Sequence, residues 1–370
     1  MNNRIWLSVC LLLLAACSDG PDRTSAPAQQ GFAGLGLAAD AFATVERGGE
    51  LAFPQDHAAH PEFRIEWWYV TANLEDREGR QYGMQWTLFR QALTPDGGLG
   101  HWQDGQVWMA HVGLTAAAEH WHAERFGRSG GGQAGVTTEP DYRVWLDDWS
   151  LQSVTAPGSP ERGDPLEHIR VQAGTDNLAF DLVLQTDQPL VLHGEDGFSL
   201  KSERGQASWY YSQPFYQVNG TLVLGDGAER NVHGTGWLDR EWSSQPLAPE
   251  QTGWDWFSLQ LPDNERLMLF RLREQDNPDS YFAGTHIRSD GSTRPLAPQE
   301  IRMQPLETTR VAGRQVPTVW HLEVPVINLD IEARPLNPNA WMDTSIPYWE
   351  GPIEFSGSHS GHGYLEMTGY

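Results

Sequence analysis

The chain has 370 residues, with 49 acidic side chains against 25 basic ones and a formal net charge of −24 at pH 7. This acidity argues against nucleic-acid binding and against electrostatic docking on anionic lipid, because both partners are themselves negative. Only two cysteines occur. Neither is expected in the folded part, which excludes a disulfide, a zinc knuckle and a thiolate nucleophile there.

Residues 1–16 are typical of a bacterial lipoprotein signal peptide. Arg4 supplies a positive charge, Ile5 to Leu14 are too short for a permanent membrane span, and Leu14-Ala-Ala-Cys17 has the form of a lipobox. We expect acylation of Cys17 and a strong membrane anchor. Ser18 follows, which by resemblance to Gram-negative lipoproteins favours the periplasmic face of the outer membrane. An ordinary secretory signal is the alternative.

Residues 17–49 are rich in Ala, Gly, Gln, Pro and Ser, which predicts a flexible tether. From about residue 50 the pattern favours β-strand almost throughout. In one stretch Leu178, Phe180, Leu182 and Leu184 alternate with other residues and would share one face of a half-buried strand. No convincing long amphipathic helix interrupts the pattern, so the sequence predicts an all-β fold of barrels or sandwiches.

One hairpin pattern occurs twice. Arg64–Leu74 is an aromatic cluster running into an alternating strand, and Gly253–Leu261 repeats it about 190 positions later. In each copy a polar turn follows and the next strand ends in Leu-Phe-Arg, at Leu88–Arg90 and at Leu269–Arg271. A hairpin repeated at this separation predicts two related β units.

The repeat divides the chain into two predicted domains, 50–243 and 244–370. The polar, proline-containing segment Ser243–Gln251 is the predicted linker between them. If the two units are equivalent barrels, we expect Trp68 and Trp256 at corresponding positions.

Several long motifs resemble one family. These are Leu51–His57 with His60-Pro61, Glu66–Tyr69, Gly236–Ser243, Gly253–Phe257 and Gly361–Tyr370. Together they resemble the lipocalin-like proteins grouped with the carotenoid 1,2-hydratases and the AttH proteins, and most of all their bacterial branch of predicted secreted hydrolases. The resemblance covers roughly residues 50 to 370 and implies tandem lipocalin-like antiparallel β-barrels.

The candidate catalytic residue is Asp239. In a strand, Trp237, Asp239 and Glu241 share one face. An acid among tryptophans inside a barrel loses water, so its pKa rises and it can donate a proton to an isoprenoid double bond. By resemblance to the hydratases, Asp239 matches their acid; Trp237 stands where they tend to have tyrosine, and Trp209 and Tyr211 lie near their histidine and tryptophan.

Two arrangements of Asp239 are open. As a catalytic acid it should be flanked by these aromatic residues and held by at most one or two hydrogen bonds. As a structural group it should pair with an arginine at the domain junction, such as Arg240 or Arg271, because structural ion pairs also perturb acids.

The candidate ligand-binding residues belong to the repeated aromatic clusters: Glu66, Trp67, Trp68, Trp254 and Trp256. Glu66 either pairs with an arginine or reaches the same cavity as Asp239. For the tryptophans, packing at the bottom of a barrel is the alternative to a binding platform.

His120 and His122 share a strand face at a spacing that can bind zinc, but the spacing fixes no third ligand. We therefore predict no metal and no cofactor. G-x-S-x-G, H-E-x-x-H and P-loop motifs are absent from the sequence.

These observations leave two functions open. The first is a lipid-anchored periplasmic binding protein that takes up an apolar or amphiphilic molecule, a lipid or an isoprenoid. The alternative is an enzyme on the same scaffold, a hydratase or hydrolase with Asp239 as general acid. A third, weaker hypothesis is that the tryptophans stack against the rings of a bound sugar. Fold alone cannot choose among them.

Overall fold

The computed structural model describes Leu35 and residues 39–95, 105–154, 163–274 and 277–370. The predicted signal peptide, Cys17 and most of the predicted tether lie outside these residues. The described part contains strands and short 3-10 turns but no α-helix, and the turns are Gln55–His57, Ser129–Gly131, Pro262–Asn264, Pro298–Glu300 and Pro325–Ile327. None of these helical turns is long and apolar enough to cross a membrane.

The first sheet is antiparallel, and its strands follow the order β4-β3-β2-β1-β13-β12-β9-β8-β7-β6-β5, with β10 and β11 also paired to β12. Its strands are β1 (Ile65–Asp76), β2 (Gln81–Ala92), β3 (Gln106–Ala116), β4 (His120–Arg128), β5 (Ala134–Thr137), β6 (Arg143–Leu146), β7 (Trp149–Ser153), β8 (His168–Gly174), β9 (Ala179–Gln185), β10 (Val191–Leu192), β11 (Phe198–Leu200), β12 (Ala207–Val223) and β13 (Glu229–Ser243).

The second sheet is also antiparallel, in the order β17-β16-β15-β14-β23-β22-β20-β19-β18, with β21 paired to β22. Its strands are β14 (Gln251–Gln260), β15 (Arg266–Glu274), β16 (Asn277–Ile287), β17 (Thr293–Leu296), β18 (Arg302–Val311), β19 (Arg314–Val324), β20 (Leu329–Pro335), β21 (Trp341–Met342), β22 (Tyr348–Gly357) and β23 (Gly361–Thr368).

The first sheet curls into a nearly closed barrel and the second into a half-barrel, which confirms the predicted lipocalin-like all-β fold. The predicted alternating strand is β9, in which Phe180, Leu182 and Leu184 are buried. The predicted linker Ser243–Gln251 joins the last strand of the barrel to the first strand of the half-barrel.

The repeated hairpins are β1–β2 and β14–β15, and their cross-strand pairs show how they correspond. Glu66 lies opposite Arg90, as Asp255 lies opposite Arg271. One position further along, Trp67 lies opposite Phe89 and Trp256 lies opposite Phe270. Trp256 therefore corresponds to Trp67.

The predicted equivalence of Trp68 and Trp256 is wrong by one residue. Phe257 is the counterpart of Trp68, because Trp68 faces Leu88 and Phe257 faces Leu269. A shift of one residue moves a side chain to the other face of a strand. Trp68 is fully buried in the barrel core, whereas Trp256 belongs to the cluster between the two sheets.

The described residues form three hydrophobic cores. One fills the barrel and one fills the half-barrel. The third lies between them and is built from side chains on the outer faces of both sheets, including Tyr69, Trp237, Trp256 and Phe270. Burial of these large side chains joins the sheets and positions the site described next.

Candidate functional site

A cavity of about 260 Å³ lies in this third core, between the two sheets. Its aromatic walls come from both sheets: Trp67, Phe89, Tyr210, Trp254, Trp256 and Phe270. The side chains of Lys201, Asp239, Glu241 and Glu366 also reach it. The cavity is therefore apolar over much of its wall and carries a few ionisable groups.

The alternation of side chains along a strand decides which residues reach the cavity. On β1, Trp67 and Tyr69 point outward and line it, whereas Trp68 and Val70 point into the barrel core. The same rule places Asp239 and Glu241 of β13 on the cavity wall, while Trp242 belongs to the barrel core. The inner face of the barrel, where we expected the acid, is packed; the acid lies outside the barrel.

Asp239 is almost fully buried, with 3 % of its surface exposed. Its Oδ1 accepts hydrogen bonds from the Trp237 indole, at 2.6 Å, and from the Ser212 hydroxyl. Its Oδ2 accepts one from the Tyr210 hydroxyl at 2.9 Å. Burial raises the pKa of Asp239 to about 7, although these hydrogen bonds lower it. A proton is thus available on this carboxyl near neutral pH.

Both expectations for the surroundings of Asp239 are wrong in detail. In the described parts of the chain no ion pair joins it to an arginine; Arg240 pairs with Glu66 and Arg271 lies 4.0 Å from Asp255. Nor is it held by at most two hydrogen bonds, since three neutral donors reach it.

A chain of hydroxyl and imidazole groups leads away from Asp239. Ser212 Oγ lies 2.6 Å from His193 Nε2, and His193 Nδ1 lies 2.9 Å from Thr285 Oγ1 in the second sheet. Burial lowers the pKa of His193 to about 3, so the ring is neutral at pH 7. A neutral imidazole has one donor and one acceptor nitrogen. The hydrogen bonds can therefore run toward Asp239 when it is ionised and away from it when it is protonated.

Strand β14 orients the carboxyls on both sides of the cavity, one directly and one through Tyr210. Two indoles of β14 donate hydrogen bonds: Trp254 Nε1 to Glu366 Oε1 at 2.6 Å, and Trp256 Nε1 to the Tyr210 hydroxyl at 3.1 Å. Because Tyr210 in turn donates to Asp239, the half-barrel helps to orient the acid of the barrel. Burial also raises the pKa of Glu366 to about 7, and the nearby Asp239 adds to the rise.

The remaining cavity carboxylate is neutralised. Lys201 Nζ lies 2.8 Å from Glu241 Oε1, which also accepts a hydrogen bond from Ser208 at 2.6 Å. The ammonium group lies against the Tyr210 and Phe270 rings, 4.9 and 4.4 Å from their centroids. Lys201, the single lysine of the chain, is thus held beside the cavity by charge and by aromatic faces.

The structure separates the four predicted catalytic residues. Asp239 lines the cavity, and Trp237 is buried beside it as a hydrogen-bond donor. Trp209 and Tyr211 lie in the barrel core, on the face of β12 that points away from the cavity. There the Tyr211 hydroxyl lies 2.7 Å from His57 Nδ1. Tyr210, between them in sequence, is the residue that reaches Asp239.

The five predicted ligand-binding residues are also divided. Trp67, Trp254 and Trp256 line the cavity. Trp68 and Glu66 do not; the Trp68 ring packs in the barrel core under the Arg240 guanidinium, 3.9 Å from the ring centroid.

Glu66 takes the first of its two predicted roles, pairing with arginine. Its carboxylate lies 2.6 Å from Arg240, 2.9 Å from Arg90 and 2.8 Å from the His60 ring. Burial alone would raise the pKa of Glu66, but the charges of Arg240, His60 and Arg90 hold it well below its ordinary value. The group is an ionised structural pair.

His120 and His122 do stack, with ring centroids 5.7 Å apart. His120 Nδ1 lies 2.9 Å from Thr115 Oγ1, and His122 Nε2 accepts a hydrogen bond from the backbone of Asp343 at 3.2 Å. Within the described residues, no group of three or more His, Cys, Asp or Glu side chains is arranged to hold a metal ion.

Several residues around the two cavity acids were not singled out from the sequence as site residues, among them Tyr210, Ser212, His193 and Glu366. The alternation along β12 carried a signal for two of them, because Ser212 lies directly opposite Asp239 and Tyr210 is on the same face. His193 and Glu366 come from distant parts of the chain. Glu366 lies within the motif Gly361–Tyr370, but nothing in that motif shows that it faces the same cavity as Asp239.

The fold and the cavity define an all-β protein of two lipocalin-like sheets that enclose an acid-bearing cavity. A family model described as AttH-like matches residues 44–370. The chain belongs to the AttH-like family.

Solved structures agree with this assignment. A protein from Nitrosomonas europaea assigned to AttH is 34% identical, with a TM-score of 0.77 over 89% of this chain and 100% of that one. Kievitone hydratase from Nectria haematococca has a TM-score of 0.64 over 89% of this chain and 96% of its own, at 17% identity, and shows the shared fold alone. No curated protein matches the chain in sequence.

Proposed function

We propose that this protein binds an apolar or amphiphilic molecule, of lipid or isoprenoid type, in the cavity between its two sheets. The observation that carries the proposal is the cavity of about 260 Å³ with aromatic walls from both sheets. Ligand sites are typically concave, largely apolar and supplied with a few polar groups that fix orientation.

The polar edges of the wall residues are already engaged inside the protein. Trp254 and Trp256 use their indole N–H groups on Glu366 and Tyr210, and Tyr210 uses its hydroxyl on Asp239. Their ring faces are then what a ligand meets, which favours hydrocarbon over a sugar that needs many hydrogen-bond partners. Lys201 and Glu241 offer one charged place for a polar end group.

Binding can be tested with farnesol, an unsaturated isoprenoid with one hydroxyl, followed by tryptophan fluorescence. Trp67→Ala should weaken binding about tenfold or more, which corresponds to about 1.4 kcal/mol or more. Trp145→Ala is the matched control, because Trp145 is a half-buried tryptophan of β6 whose indole donates to Gly132. If both variants bind farnesol as tightly as the wild type, the cavity is not the binding site.

A second function, acid catalysis, is favoured by the state of Asp239. Its carboxyl lines the cavity, has no cationic partner among the described residues and has a pKa of about 7. General acids work best when their pKa lies near the working pH. Asp239 would protonate a carbon–carbon double bond of the bound ligand, the aromatic faces would stabilise the cation, and water would add to it.

Deuterium incorporation tests this chemistry. In D₂O the wild type should convert farnesol to a hydrated product that carries deuterium on carbon, and Asp239→Asn should abolish the product. The Asn variant should keep its farnesol affinity, because the amide preserves the shape of the wall. A wild type that binds farnesol but incorporates no deuterium would leave the protein a carrier.

We also propose that acylated Cys17 anchors the protein at the periplasmic face of the outer membrane. The lipobox Leu14-Ala-Ala-Cys17 and the following Ser18 support the anchor. Cys17→Ala should remove palmitate labelling and partitioning into detergent. Equal labelling of wild type and variant would contradict acylation at this cysteine.

A further inference from the structure

The two halves of the internal repeat each place a glutamate on the cavity. Glu241 on β13 lies opposite Trp67, and Glu366 on β23 lies opposite Trp256, the counterpart of Trp67. Both glutamates line the cavity. The repeat therefore provides two equivalent carboxyls, one from each sheet.

Their charge environments differ. Glu241 has Lys201 at 2.8 Å. Within the described chain, Glu366 has no ion pair, and the groups that hydrogen-bond to it are neutral: the indole of Trp254 at 2.6 Å and the Tyr69 hydroxyl. Of the carboxyls that line the cavity, Asp239 and Glu366 are thus the two without a cation, and they come from opposite sheets.

We infer that Glu366 is the second acid–base group of this cavity, accepting a proton from water while Asp239 donates one to an unsaturated hydrocarbon. The inference rests on the catalytic function proposed above and extends it to a residue that has no part in that proposal. Its substrate class is a neutral alkene of isoprenoid type together with water.

The two carboxyls influence each other. The pKa of each is raised to about 7, mainly by burial, and for Glu366 the charge of Asp239 contributes to this rise. Two interacting carboxyls with similar pKa values lose their protons in two steps and share a single proton over the pH range between them. That singly protonated state supplies one acid and one base at the same time.

The other ionisable groups around the pair are accounted for. Glu241 is paired with Lys201, and burial raises the pKa of Glu350 well above its ordinary value. The hydroxyls of Tyr69, Tyr210 and Tyr348 stay protonated, since burial raises the pKa of each well above 10.0. His111, further along the wall, lies 3.0 Å from Glu124.

The reaction balances in atoms and electrons. The O–H bond of the Asp239 carboxyl breaks and a C–H bond forms at one alkene carbon. The oxygen of water forms a C–O bond at the other carbon, and the proton that water loses passes to the Glu366 carboxylate. The product is an alcohol, and transfer of one proton from Glu366 back to Asp239 through solvent restores the pair.

The test measures kcat and KM for farnesol hydration in D₂O as a function of pH, in the wild type, Glu366→Gln and Glu366→Asp. Glu354→Gln is the control, because Glu354 is an exposed glutamate on the neighbouring strand β22. Thermal unfolding at pH 5.5 checks that each variant is folded.

We expect a bell-shaped pH profile of kcat for the wild type and for Glu354→Gln. In Glu366→Gln, kcat should fall about 100-fold or more while KM changes little, and the remaining activity should no longer decline at low pH. Glu366→Asp should keep the bell shape. A purely structural role for Glu366 would leave the shape of the profile unchanged.

An active wild type with a Glu366→Gln variant of equal kcat and unchanged profile overturns this inference and leaves acid catalysis by Asp239 standing. A Glu366→Asp variant that is folded but has lost the low-pH decline also overturns it. A wild type that forms no deuterated product removes the catalytic function, and this inference with it.

Discussion

Two buried acids of the same barrel, Glu66 and Asp239, behave in opposite ways. Glu66 is fully buried between two guanidinium groups and a histidine, and its pKa lies well below the ordinary value. Asp239 is nearly as buried, yet it meets only neutral donors, and burial raises its pKa to about 7. Burial alone therefore does not distinguish an acid held ionised in an ion pair from an acid able to donate a proton. In these two residues the charge of the neighbouring groups makes the difference.

The face of the strand decides which partners an acid meets. Glu66 lies on the face of β1 that carries Trp68, so it meets Arg240 from the barrel side. Asp239 lies opposite Tyr69, on the face that meets the second sheet. The pair Glu66–Arg90 recurs in register as Asp255–Arg271, but there burial outweighs the charges of Arg273 and Arg271 and raises the pKa of Asp255. The register places no second aspartate at the position of Asp239.

The largest expected effect on stability comes from removing the charge of the structural acid, Glu66. Glu66→Gln removes the negative charge between Arg90 and Arg240, which then stay buried without compensation. We expect a loss of about 3–5 kcal/mol in the free energy of unfolding, measured by urea denaturation at pH 7. Glu307 pairs with Arg334 at the protein surface, and Glu307→Gln is the control, which should cost less than about 1 kcal/mol. A Glu66→Gln variant as stable as this control would show that the pair is not structural.

The next effect concerns how stability depends on pH. A carboxyl with a raised pKa in the folded state binds its proton more tightly when folded, so its contribution to stability is complete below its unfolded pKa. That contribution is lost as the pH rises through the folded pKa. A rise in the pKa of Asp239 from 3.8 to about 7 corresponds to about 4 kcal/mol.

Asp239→Asn replaces the carboxyl by a neutral amide, so the variant does not lose this stability as the pH rises. The variant should be close to the wild type in stability near pH 4 and more stable by about 2–4 kcal/mol at pH 8.5, as measured by denaturation at both values. If its stability relative to the wild type is the same at both pH values, Asp239 does not titrate in this range.

The smallest expected effect is a shift in the pKa of Asp239 while its carboxyl stays in place. Tyr210→Phe deletes the hydroxyl that donates to Asp239 at 2.9 Å. Because a hydrogen bond to the charged form favours that form, its loss should raise the pKa of Asp239 above 7, by about one. Carboxyl titration of the variant measures this. A lower pKa in Tyr210→Phe would contradict the assignment of Tyr210 as donor.

Local patterns predicted the strands, the repeat and the all-β class, because alternation and turn residues act within a few positions. The lipocalin-like barrels were implied by the family resemblance. The local patterns also placed Asp239 on one strand face with Glu241, but this face lines the cavity between the sheets and not the barrel interior, where we expected the acid. Three of the candidate tryptophans, Trp67, Trp254 and Trp256, line the same cavity.

Four candidate residues lie elsewhere, and each is adjacent in sequence to a residue that does line the cavity: Glu66, Trp68, Trp209 and Tyr211. A strand pattern shows which residues share a face but leaves open whether that face meets the barrel interior or the other sheet.

The more distant groups around Asp239 were beyond such patterns. Thr285 and Glu366 belong to the second sheet and approach the site only after the two sheets pack, and His193 is placed by the pairing of β10 with β12. Alternation along the strand does account for Arg240, the next residue in sequence, which points to the opposite face and pairs with Glu66.

The most direct test of the central claim is the titration of the Asp239 carboxyl itself. Protein labelled with ¹³C at the aspartate side-chain carboxyl would be followed by NMR from pH 3 to pH 9, with the Asp239→Asn spectrum identifying the signal. We predict a midpoint near pH 7, which is the value that burial among neutral donors produces. A midpoint near the ordinary aspartate value of 3.8 would show an ionised carboxylate at neutral pH, and would contradict its role as the acid of this cavity.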